Sequence, residues 1–487
     1  MGTTISTADA VRLSHFIGGE FLAPGSGEGI PSVDPARPHQ TLALIPAAEA
    51  AMADRAVDAA AGAFSAWSRL AGPARADFLY RWSDAIKSRA GELAQAVARE
   101  VGKPIGEAKG EVGRCEMILR YFAGEAVRET GDVIPAQTPG SLQYSLRQPL
   151  GVVGLITPWN FPLAIPLWKA APALAVGNTV VLKPAEASSW VAALLAETAA
   201  AAGLPAGVFN VVLGKGSTIG PALLENDAVR CVSFTGSDTV GARIAETCAR
   251  RNIKFQTEMG GKNVGIVLED ADLVQAANLV AAGAMRFAGQ KCTATSRVVV
   301  VRSVQGQFLD ELRSAIDKLP FGDPLQADCA IGPVISRSSF DDLNAAIARG
   351  GGEQVYGSKT VDSDLSGGYF VSPTVFSEVS IDSELAQEEL FGPVLAVIGA
   401  ADYDEAIQLA NRTQFGLSAS LYTKNIGKAL DYVSRIEAGL VRVNGDTTGV
   451  DPHAPFGGVK GSSSGSREQG PAAKEFFTEI KTVQINP

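Results

Sequence analysis

From residue 151 onward, short apolar runs alternate with helical patterns, and this alternation constrains the fold more than any other feature of the chain. The apolar runs predict strands at Gly151–Ile156, Thr179–Lys183, Phe209–Leu213 and Cys231–Thr235. The segments after them predict helices at Pro166–Ala175, Ser189–Ala202, Gly216–Glu225 and Thr239–Arg250. Because each intervening helix carries the chain back to the same end, such strands form a parallel sheet with helices on both faces.

A second series of the same kind begins near Glu258. It opens with a predicted strand at Asn263–Leu268 and a predicted helix at Ala271–Phe287, for which Asp270 is the expected N-cap. The later strand and helix patterns are Arg297–Val301, Val304–Lys318, Tyr369–Val375, Phe391–Ile398, Tyr403–Asn411 and Leu417–Tyr422. Amphipathic helices are also predicted ahead of the first series, at 48–70 and 73–101. The 487 residues exceed a single typical core, so two or three structural units are expected.

Two further segments fit neither series. The stretch Asp132–Arg147 predicts an extended hairpin that turns at Pro139-Gly140, and the tail Phe476–Asn486 predicts a strand with polar alternation. Solitary strands need partners, so we expect both segments to pair with another copy of the chain. The sequence therefore predicts a homo-oligomer, a dimer or a tetramer.

Charge and cysteine content exclude several classes of protein. The chain has 42 basic and 52 acidic residues, a net charge of −10 and no long basic run, so a nucleic-acid partner is not expected. Its five cysteines are odd in number and widely spaced, without a Cys-x-x-Cys pair. Neither a disulfide framework nor a metal site is expected, and a reducing compartment fits best.

The sequence also predicts neither a leader nor a membrane partner. Residues Met1–His15 lack the basic start and apolar stretch of a signal peptide. The most apolar window, Leu163–Leu182, is interrupted by Lys169, two prolines and Asn178, which favours a buried helix and strand over a membrane span. A cytoplasmic location is therefore expected.

The residue with the clearest chemical potential is Cys292, in the turn Gly289-Gln290-Lys291-Cys292-Thr293-Ala294 after a predicted helix. A thiol of ordinary pKa, about 8.5, is mostly protonated at neutral pH, so a nucleophilic Cys292 needs a base or an electropositive surrounding. The alternative is a small buried hydrophobic residue, as most free cysteines are. That alternative is the expected one for Cys115, Cys231, Cys248 and Cys329.

Polar residues at predicted strand ends could complete a site around Cys292. Glu258 precedes a glycine pair and could act as a general base, although a solvated strand-end Glu is the alternative. Asn160, in the turn Thr157-Pro158-Trp159-Asn160, offers an amide suited to an oxyanion hole. Lys183 ends the next predicted strand. Ligands of open α/β sheets bind at the carboxyl ends of strands, which is where these groups are predicted to lie.

Two glycine-containing turns lead from a strand into a helix. The first, Gly214–Gly220, has a spacing one residue longer than the dinucleotide fingerprint and lacks the acidic residue usually found downstream. The second, Phe234–Gly241, also places small residues at a helix N-terminus, where a pyrophosphate could bind. Neither turn decides the cofactor alone.

Six motifs occur together and in order along the chain. They are Pro158-Trp159-Asn160-Phe161-Pro162, Phe234-Thr235-Gly236-Ser237, Glu258-Met259-Gly260-Gly261, Gly289-Gln290-Lys291-Cys292, Glu388-Glu389-Leu390-Phe391-Gly392-Pro393 and Pro455-Phe456-Gly457-Gly458. This set resembles the signature of the aldehyde dehydrogenase superfamily over nearly the whole chain. Met259 departs from it, since Leu is commoner there, and the change conserves volume.

The resemblance implies an α/β fold of three parts. These are a Rossmann-like dinucleotide-binding domain (1–125 and 148–257), an α/β catalytic domain (258–465) and a small β oligomerisation element (126–147 and 466–487).

The resemblance also implies roles for individual residues. Cys292 would attack the aldehyde, Asn160 and the Cys292 backbone N–H would hold the oxyanion, and Glu258 would activate water to hydrolyse the thioester. The cofactor-binding positions are Trp159, Lys183, Glu186, Gly236, Ser237, Glu389 and Phe391, the substrate-binding positions include Phe161 and Trp168, and no metal is required. A carboxylate at Glu186 would repel a 2′-phosphate, so NAD is favoured, although side-chain rotation could admit NADP.

The aldehyde itself is predicted to be a small ω-oxo acid. Arg286 lies six residues before Cys292, and a matching arginine binds the distal carboxylate in the succinic-semialdehyde branch. The alternative for Arg286 is a cap on helix-end carbonyls. Residues 289–297 and 455–470 resemble α-ketoglutaric semialdehyde (2,5-dioxopentanoate) dehydrogenases. Succinic or glutaric semialdehyde, or a broad range of aldehydes, are the alternatives.

Three alternative functions remain open when only the residues are considered. A CoA-acylating dehydrogenase would not need Glu258, because a water-activating base would waste its thioester. An inactive structural or ligand-binding relative would not need Cys292, Glu258 and Asn160 together. A Cys-His hydrolase would need a histidine in contact with Cys292. The chain has three histidines, His15, His39 and His453.

Overall fold

The computed structural model describes residues 10–22 and 29–487. The sequence predicts no leader in Met1–His15, and residues 1–9 of that segment lie outside the described residues. Within them the α-helices, in chain order, are α1 (Ala51–Ser68), α2 (Gly72–Ser88), α3 (Ala90–Val101), α4 (Ile105–Glu125), α5 (Ala164–Ala175), α6 (Ser189–Ala201), α7 (Gly216–Glu225), α8 (Asp238–Arg251), α9 (Leu273–Met285), α10 (Arg302–Asp317), α11 (Arg337–Arg349), α12 (Glu384–Gln387), α13 (Tyr403–Asn411), α14 (Ile426–Arg435) and α15 (Gly470–Phe476).

The strands of the described residues are β1 (Val11–Arg12), β2 (His15–Ile17), β3 (Glu20–Leu22), β4 (Ile30–Asp34), β5 (Arg37–Ile45), β6 (Val133–Ile134), β7 (Leu142–Pro149), β8 (Val152–Thr157), β9 (Thr179–Pro184), β10 (Phe209–Val211), β11 (Val229–Thr235), β12 (Lys254–Glu258), β13 (Val264–Val267), β14 (Arg297–Val301), β15 (Glu353–Tyr356), β16 (Thr374–Ser377), β17 (Val394–Ala400), β18 (Phe415–Gly416), β19 (Ser418–Tyr422), β20 (Leu440–Val443), β21 (Val459–Lys460), β22 (Ser463–Ser464) and β23 (Thr478–Ile485).

The first α/β series forms an eight-stranded sheet in the order β22-β12-β11-β8-β9-β10-β2-β3. Its five central strands, β12, β11, β8, β9 and β10, run parallel, and the strands β22 and β2 add antiparallel edges. Every residue of β9 is buried, as expected of a parallel strand covered on both faces. The predicted parallel sheet is confirmed.

The second series forms a seven-stranded sheet in the order β15-β16-β17-β14-β13-β19-β20, parallel except at β15. Its central strand β14 is buried throughout. The short strand β22, which follows the second series in the chain, pairs with β12 of the first sheet.

A three-stranded sheet contains the two segments that were expected to need a partner chain. The hairpin is formed by β6 and β7, and Gly140 has a φ of 81° near its tip. The tail strand β23 pairs antiparallel with β7 of the same chain from Thr478 to Ile485. The two segments therefore pair with each other within one chain, and their pairing with another copy stays a prediction.

Two predicted helices also need correction. The helix expected at 73–101 is interrupted at Arg89, which separates α2 from α3. The helix expected at 271–287 is α9, and its N-cap is Asp272, which accepts from the backbone N–H of Gln275, rather than Asp270. Asp270 instead accepts hydrogen bonds from Thr423 Oγ1 and the backbone of Lys424.

The long helix α4 was not predicted, because its glycines lower its intrinsic helix propensity. It is stabilised by packing against α2 and α5, and its Glu111 forms a fully buried ion pair with Lys103. Glu111 also accepts from the backbone N–H groups of Leu163 and Ala164. This pair therefore fixes the start of α5, directly after the turn that carries Asn160.

No helix among the described residues is both long and apolar enough to cross a lipid bilayer.

Candidate active site

Four parallel strands end at one edge of the eight-stranded sheet and carry the predicted site residues there. In the β8–β9 pair, Thr157 lies opposite Pro184, and in the β11–β12 pair, Thr235 lies opposite Glu258. The turn that carries Asn160 follows β8 directly. The register thus places residues from distant parts of the chain side by side, as predicted for an open α/β sheet.

A cleft of about 210 Å³ opens at this edge. It is lined by Pro158, Trp159, Asn160, Thr235, Gly236, Ser237, Met259, Gly260, Cys292, Glu389 and Phe391. Seven predicted site residues therefore share one cleft: Trp159, Asn160, Gly236, Ser237, Cys292, Glu389 and Phe391. Glu258 lies next to it, immediately before Met259.

Cys292 lies in a loop whose backbone reverses sharply after α9. Phe287, Ala288 and Gly289 all have positive φ values, of 55°, 51° and 68°. The side-chain amide of Asn263 then donates to the carbonyls of both Cys292 and Ala294, each at 2.8 Å. The loop is thus anchored on the second sheet, and Cys292 keeps exposed surface while the other four cysteines are buried.

The surroundings of Cys292 disfavour its thiolate. Burial raises the pKa of the Cys292 thiol above its ordinary value, and the carboxylates of Glu389, Glu258 and Glu468 raise it further. These surroundings favour the thiol form of Cys292 over the thiolate. Nucleophilic attack by Cys292 requires a group that takes this proton or a positive charge nearby.

Asn160 is buried beside the Cys292 loop. Its Nδ2 donates to the carbonyl of Gln290 at 3.1 Å, and its Oδ1 has no partner among the described residues. Gln290 is held in turn, since its Oε1 accepts from the backbone of Ile335 at 2.8 Å. A side-chain amide carries two hydrogens, so the second N–H of Asn160 is available to an oxyanion.

Glu258 is a buried carboxyl with one unpaired oxygen. Its Oε2 accepts from Ser463 Oγ at 2.6 Å, and its Oε1 has no hydrogen-bond partner within the described part of the chain. Burial raises the pKa of Glu258 well above its ordinary value, and the charge of Glu468 adds to that increase. A carboxylate of raised pKa is a stronger base, as general-base catalysis near neutral pH requires.

Behind Glu258 lies a buried ion pair that the sequence did not predict. Lys169 of α5 pairs with Glu468 and also donates to Ser233 Oγ at 2.8 Å, while Trp168 Nε1 donates to the second oxygen of Glu468 at 2.8 Å. The available signal was a single lysine in an otherwise apolar helix, since such a lysine is normally buried only with a partner. This network fixes the Trp168 ring 5.6 Å from that of Phe456.

The cofactor end of the cleft fits a dinucleotide. Ser237 precedes α8 without capping it through its side chain, although the N–H of Thr239 in the first turn donates to Asp238 Oδ1. A helix N-terminus of this kind can receive a phosphate. The hydroxyl of Thr235 is buried without a partner among the described residues. Phe391 meets Trp159 edge to face at 5.6 Å, and Glu389 accepts from the backbone of Gly261 at 2.8 Å.

Two predicted cofactor residues lie beyond the lining of this cleft. Lys183 is buried at the end of β9, where it donates to the carbonyl of Pro184 and where burial lowers its pKa to about 8. Glu186 accepts from the backbone of Gly216 at 3.2 Å, at the start of α7.

The structure does not bring Arg286 or Phe161 into the cleft. Phe161 packs against Lys103, whose Nζ lies 3.8 Å from the ring centroid. Arg286 occupies the C-cap position of α9, where its backbone N–H donates to the carbonyl of Ala282 and its side chain is exposed. Its guanidinium makes no hydrogen bond within the described residues, so both interpretations of Arg286, a carboxylate ligand and a cap on helix-end carbonyls, stay predictions.

Comparison with known proteins identifies the family. A model of the aldehyde dehydrogenase family matches residues 21–483. The chain belongs to the aldehyde dehydrogenase family. Relatives include the α-ketoglutaric semialdehyde dehydrogenase of Bacillus subtilis, 46% identical over 97% of this chain and 98% of that protein. The NADP+ succinate-semialdehyde dehydrogenase of Escherichia coli is 37% identical over 99% of both chains.

Solved structures agree with this assignment. The NAD-dependent aldehyde dehydrogenase of Sinorhizobium meliloti superposes with a TM-score of 0.93 at 38% identity, covering 98% of this chain and 95% of that one. The predicted α/β fold and the predicted NAD(P)-dependent oxidation of aldehydes are thus confirmed. Members of this family use NAD or NADP.

Replacing one carboxylate should change the reactivity of this aldehyde dehydrogenase's Cys292. Glu389→Gln removes the charge that contributes most to the raised thiol pKa and retains an acceptor for Gly261. We expect alkylation of Cys292 by iodoacetamide at about pH 8, followed by peptide mass spectrometry, to be about threefold faster or more. Glu388→Gln is the matched control, because Glu388 is exposed and should leave the rate unchanged. Equal rates in both variants would contradict this account of the thiol.

Proposed function

We propose that this aldehyde dehydrogenase oxidises a small ω-oxo acid, with α-ketoglutaric semialdehyde as the preferred substrate and 2-oxoglutarate as the product. The observation that carries the proposal is the meeting of Cys292, Asn160 and Glu258 at one strand edge, beside a cleft suited to a dinucleotide. The choice of substrate is supported by the 46% identity with the Bacillus subtilis enzyme over almost the whole length of both chains.

In the proposed reaction, the thiol proton of Cys292 is lost to water as Sγ attacks the aldehyde carbon, which forms the anion of a thiohemiacetal. The developing oxyanion accepts hydrogen bonds from Asn160 Nδ2 and from the backbone N–H of Cys292. A nicotinamide dinucleotide bound in the cleft supplies the hydride acceptor. Once the adduct on Cys292 is oxidised to a thioester, Glu258 removes a proton from water, and the resulting hydroxide displaces the thiolate to release the carboxylic acid.

The residues of the cofactor end are proposed to hold the two halves of the dinucleotide. Lys183 and Glu389 would bind ribose hydroxyls, Phe391 would contact the nicotinamide ribose, and Trp159 with Ser237 would contact the pyrophosphate. We favour NAD, because a carboxylate at Glu186 would repel a 2′-phosphate. Trp168 and Phe161 do not line this cleft, and they are proposed to line a separate path by which the aldehyde reaches Cys292.

We infer that the enzyme is a cytoplasmic homo-oligomer, either a dimer or a tetramer. We also propose that each chain has three parts: a dinucleotide-binding domain (1–125 and 148–257), a catalytic domain (258–465) and an oligomerisation element (126–147 and 466–487). The five free cysteines fit a reducing compartment. Ile480 and Ile485 of β23 are 63% and 52% exposed, and Ile426 and Leu430 of α14 are 74% and 67% exposed. Apolar side chains on the surface of a sheet and a helix support a contact with further copies.

Succinic semialdehyde is the second candidate substrate, because the Escherichia coli relative named for it is 37% identical over 99% of both chains. A CoA-acylating reaction is disfavoured by Glu258, whose hydrolytic role would destroy the thioester that CoA must intercept. An inactive relative is disfavoured because the nucleophile, the base and the oxyanion donor are all present.

Initial rates with a panel of aldehydes test the proposal. We expect the highest kcat/KM for 2,5-dioxopentanoate with NAD+. The values for succinic semialdehyde, glutaric semialdehyde and neutral aldehydes should be lower, as should those with NADP+. When CoA is added, the product should still be the free acid rather than an acyl-CoA. Cys292→Ser should lower kcat by about 10³-fold or more, because the thiolate is lost. Cys329→Ser, a buried cysteine away from the cleft, serves as the control and should keep wild-type rates. Full turnover in Cys292→Ser, or a preference for neutral aldehydes, would refute the proposal.

A second prediction concerns recognition of the distal carboxylate. The proposed ligand of that carboxylate is the exposed guanidinium of Arg286, which does not line the cofactor cleft. Arg286→Ala should raise KM for ω-carboxylated aldehydes about tenfold or more and leave KM for pentanal nearly unchanged, because only the former lose a charge-assisted hydrogen bond. Arg302→Ala, another exposed arginine, should change neither value. Equal effects of Arg286→Ala on both aldehyde classes would exclude the carboxylate-binding role.

A further inference from the structure

The strand next to the proposed general base carries an unassigned hydroxyl. The strand β22 pairs antiparallel with β12, so that Ser463 lies opposite Glu258 and Ser464 lies opposite Thr257. Side chains directly opposite each other on antiparallel strands project from the same face and are in contact range. The register alone therefore brings the Ser463 hydroxyl to the Glu258 carboxylate.

The direction of the hydrogen bond between them is set by a third group. Ser463 Oγ accepts from the backbone N–H of Gly458 at 2.7 Å. Its own proton is then free to point at Glu258 Oε2, which lies 2.6 Å away. A hydroxyl held in this way donates to the carboxylate and stabilises its ionised form.

The neighbouring serines have different partners. Ser462 Oγ accepts from the backbone of Gly416 at 3.0 Å, and Ser464 Oγ is hydrogen-bonded to Thr257 Oγ1. Only the middle serine of the three contacts Glu258 in the described residues. Ser464 therefore provides a control of the same residue type, on the same strand, with the same kind of bond.

The hydrogen bond with Ser463 leaves the other carboxylate oxygen free. Glu258 is 2% exposed, and its Oε1 has no partner within the described ranges. Gly457 lies directly against that oxygen, because a Cβ on Gly457 would be 2.8 Å from it. One oxygen is thus held by the protein, and the other is available to accept a proton from water.

We propose that Ser463 is the positioning residue of the general base, whose hydroxyl holds Glu258 by Oε2 and keeps it ionised for hydrolysis of the thioester on Cys292. This proposal rests on the proposed function. Ser463 acts through Glu258, so it affects the release of the acid and not the earlier oxidation of the aldehyde.

The direction of the pH effect follows from the groups around Glu258. Burial and Glu468 raise the pKa of Glu258, whereas the hydrogen bond from Ser463 and the charges of Lys169 and Arg467 lower it. The charge of Glu258 in turn contributes to the raised pKa of the Cys292 thiol. Loss of the Ser463 donor raises the pKa of Glu258 further. In a plot of kcat against pH, the fall of kcat on the acidic side (the acidic limb) therefore moves to higher pH.

The experiment compares Ser463→Ala, Ser463→Thr and Ser464→Ala with the wild-type enzyme, using 2,5-dioxopentanoate and NAD+. In Ser463→Ala we expect a rapid burst of NADH equal to one turnover, a steady-state kcat about tenfold lower or more, and an acidic limb shifted upward by about one pH unit. Ser463→Thr keeps the donor and should restore the wild-type kcat and the wild-type position of the acidic limb. Ser464→Ala should resemble the wild type.

The control variants separate positioning from folding and from the proposed function itself. If Ser463→Ala keeps the wild-type kcat and acidic limb, or if Ser464→Ala shows the same losses, Ser463 has no role in positioning Glu258. If Ser463→Ala does not fold, Ser463→Cys, a weaker donor of similar size, must give the same upward shift of the limb. A wild-type enzyme that reduces no NAD+ with any aldehyde would instead refute the proposed function.

Discussion

Parallel pairing of β11, β12 and β8 is the constraint on which the site depends. Because these strands run in the same direction, their carboxyl ends lie at one edge, and Thr235 is opposite Glu258 there. The turn that follows β8 adds Asn160 at the same edge. A change of register in this sheet would separate the base from the oxyanion donor, although the two are far apart in the chain.

The nucleophile reaches this edge from the second sheet, and Asn263 makes that connection. Its amide donates to the carbonyls of Cys292 and Ala294, while its Oδ1 accepts from the backbone of Ser418 at 3.0 Å. The Cys292 loop is therefore tied to the start of β13 and to β19 at once. The site lies between two rigid sheets, an arrangement that maintains the geometry a covalent mechanism needs.

The sequence predicted the parts of this architecture that depend on local patterns. The strand β9 was predicted to within one residue, because a buried parallel strand is a nearly continuous apolar run. The position of Asn160 and Glu258 at strand ends followed from the same reasoning. What it missed depends on distant contacts: Lys169 and Glu468 are 299 residues apart, and the helix α4 forms through packing despite its glycines. The pairing of β23 with β7 within one chain depends equally on a contact between remote segments.

In the proposed mechanism, Cys292 carries the substrate as a thioester, and Glu258 activates the water that hydrolyses it. The most direct measurement is mass spectrometry of Glu258→Gln after incubation with 2,5-dioxopentanoate and NAD+ and an acid quench. The account predicts an acyl adduct on the peptide that contains Cys292, released by hydroxylamine, and about one NADH formed per site. Rapid multiple turnover by Glu258→Gln, or an adduct that maps to a different residue, would contradict it.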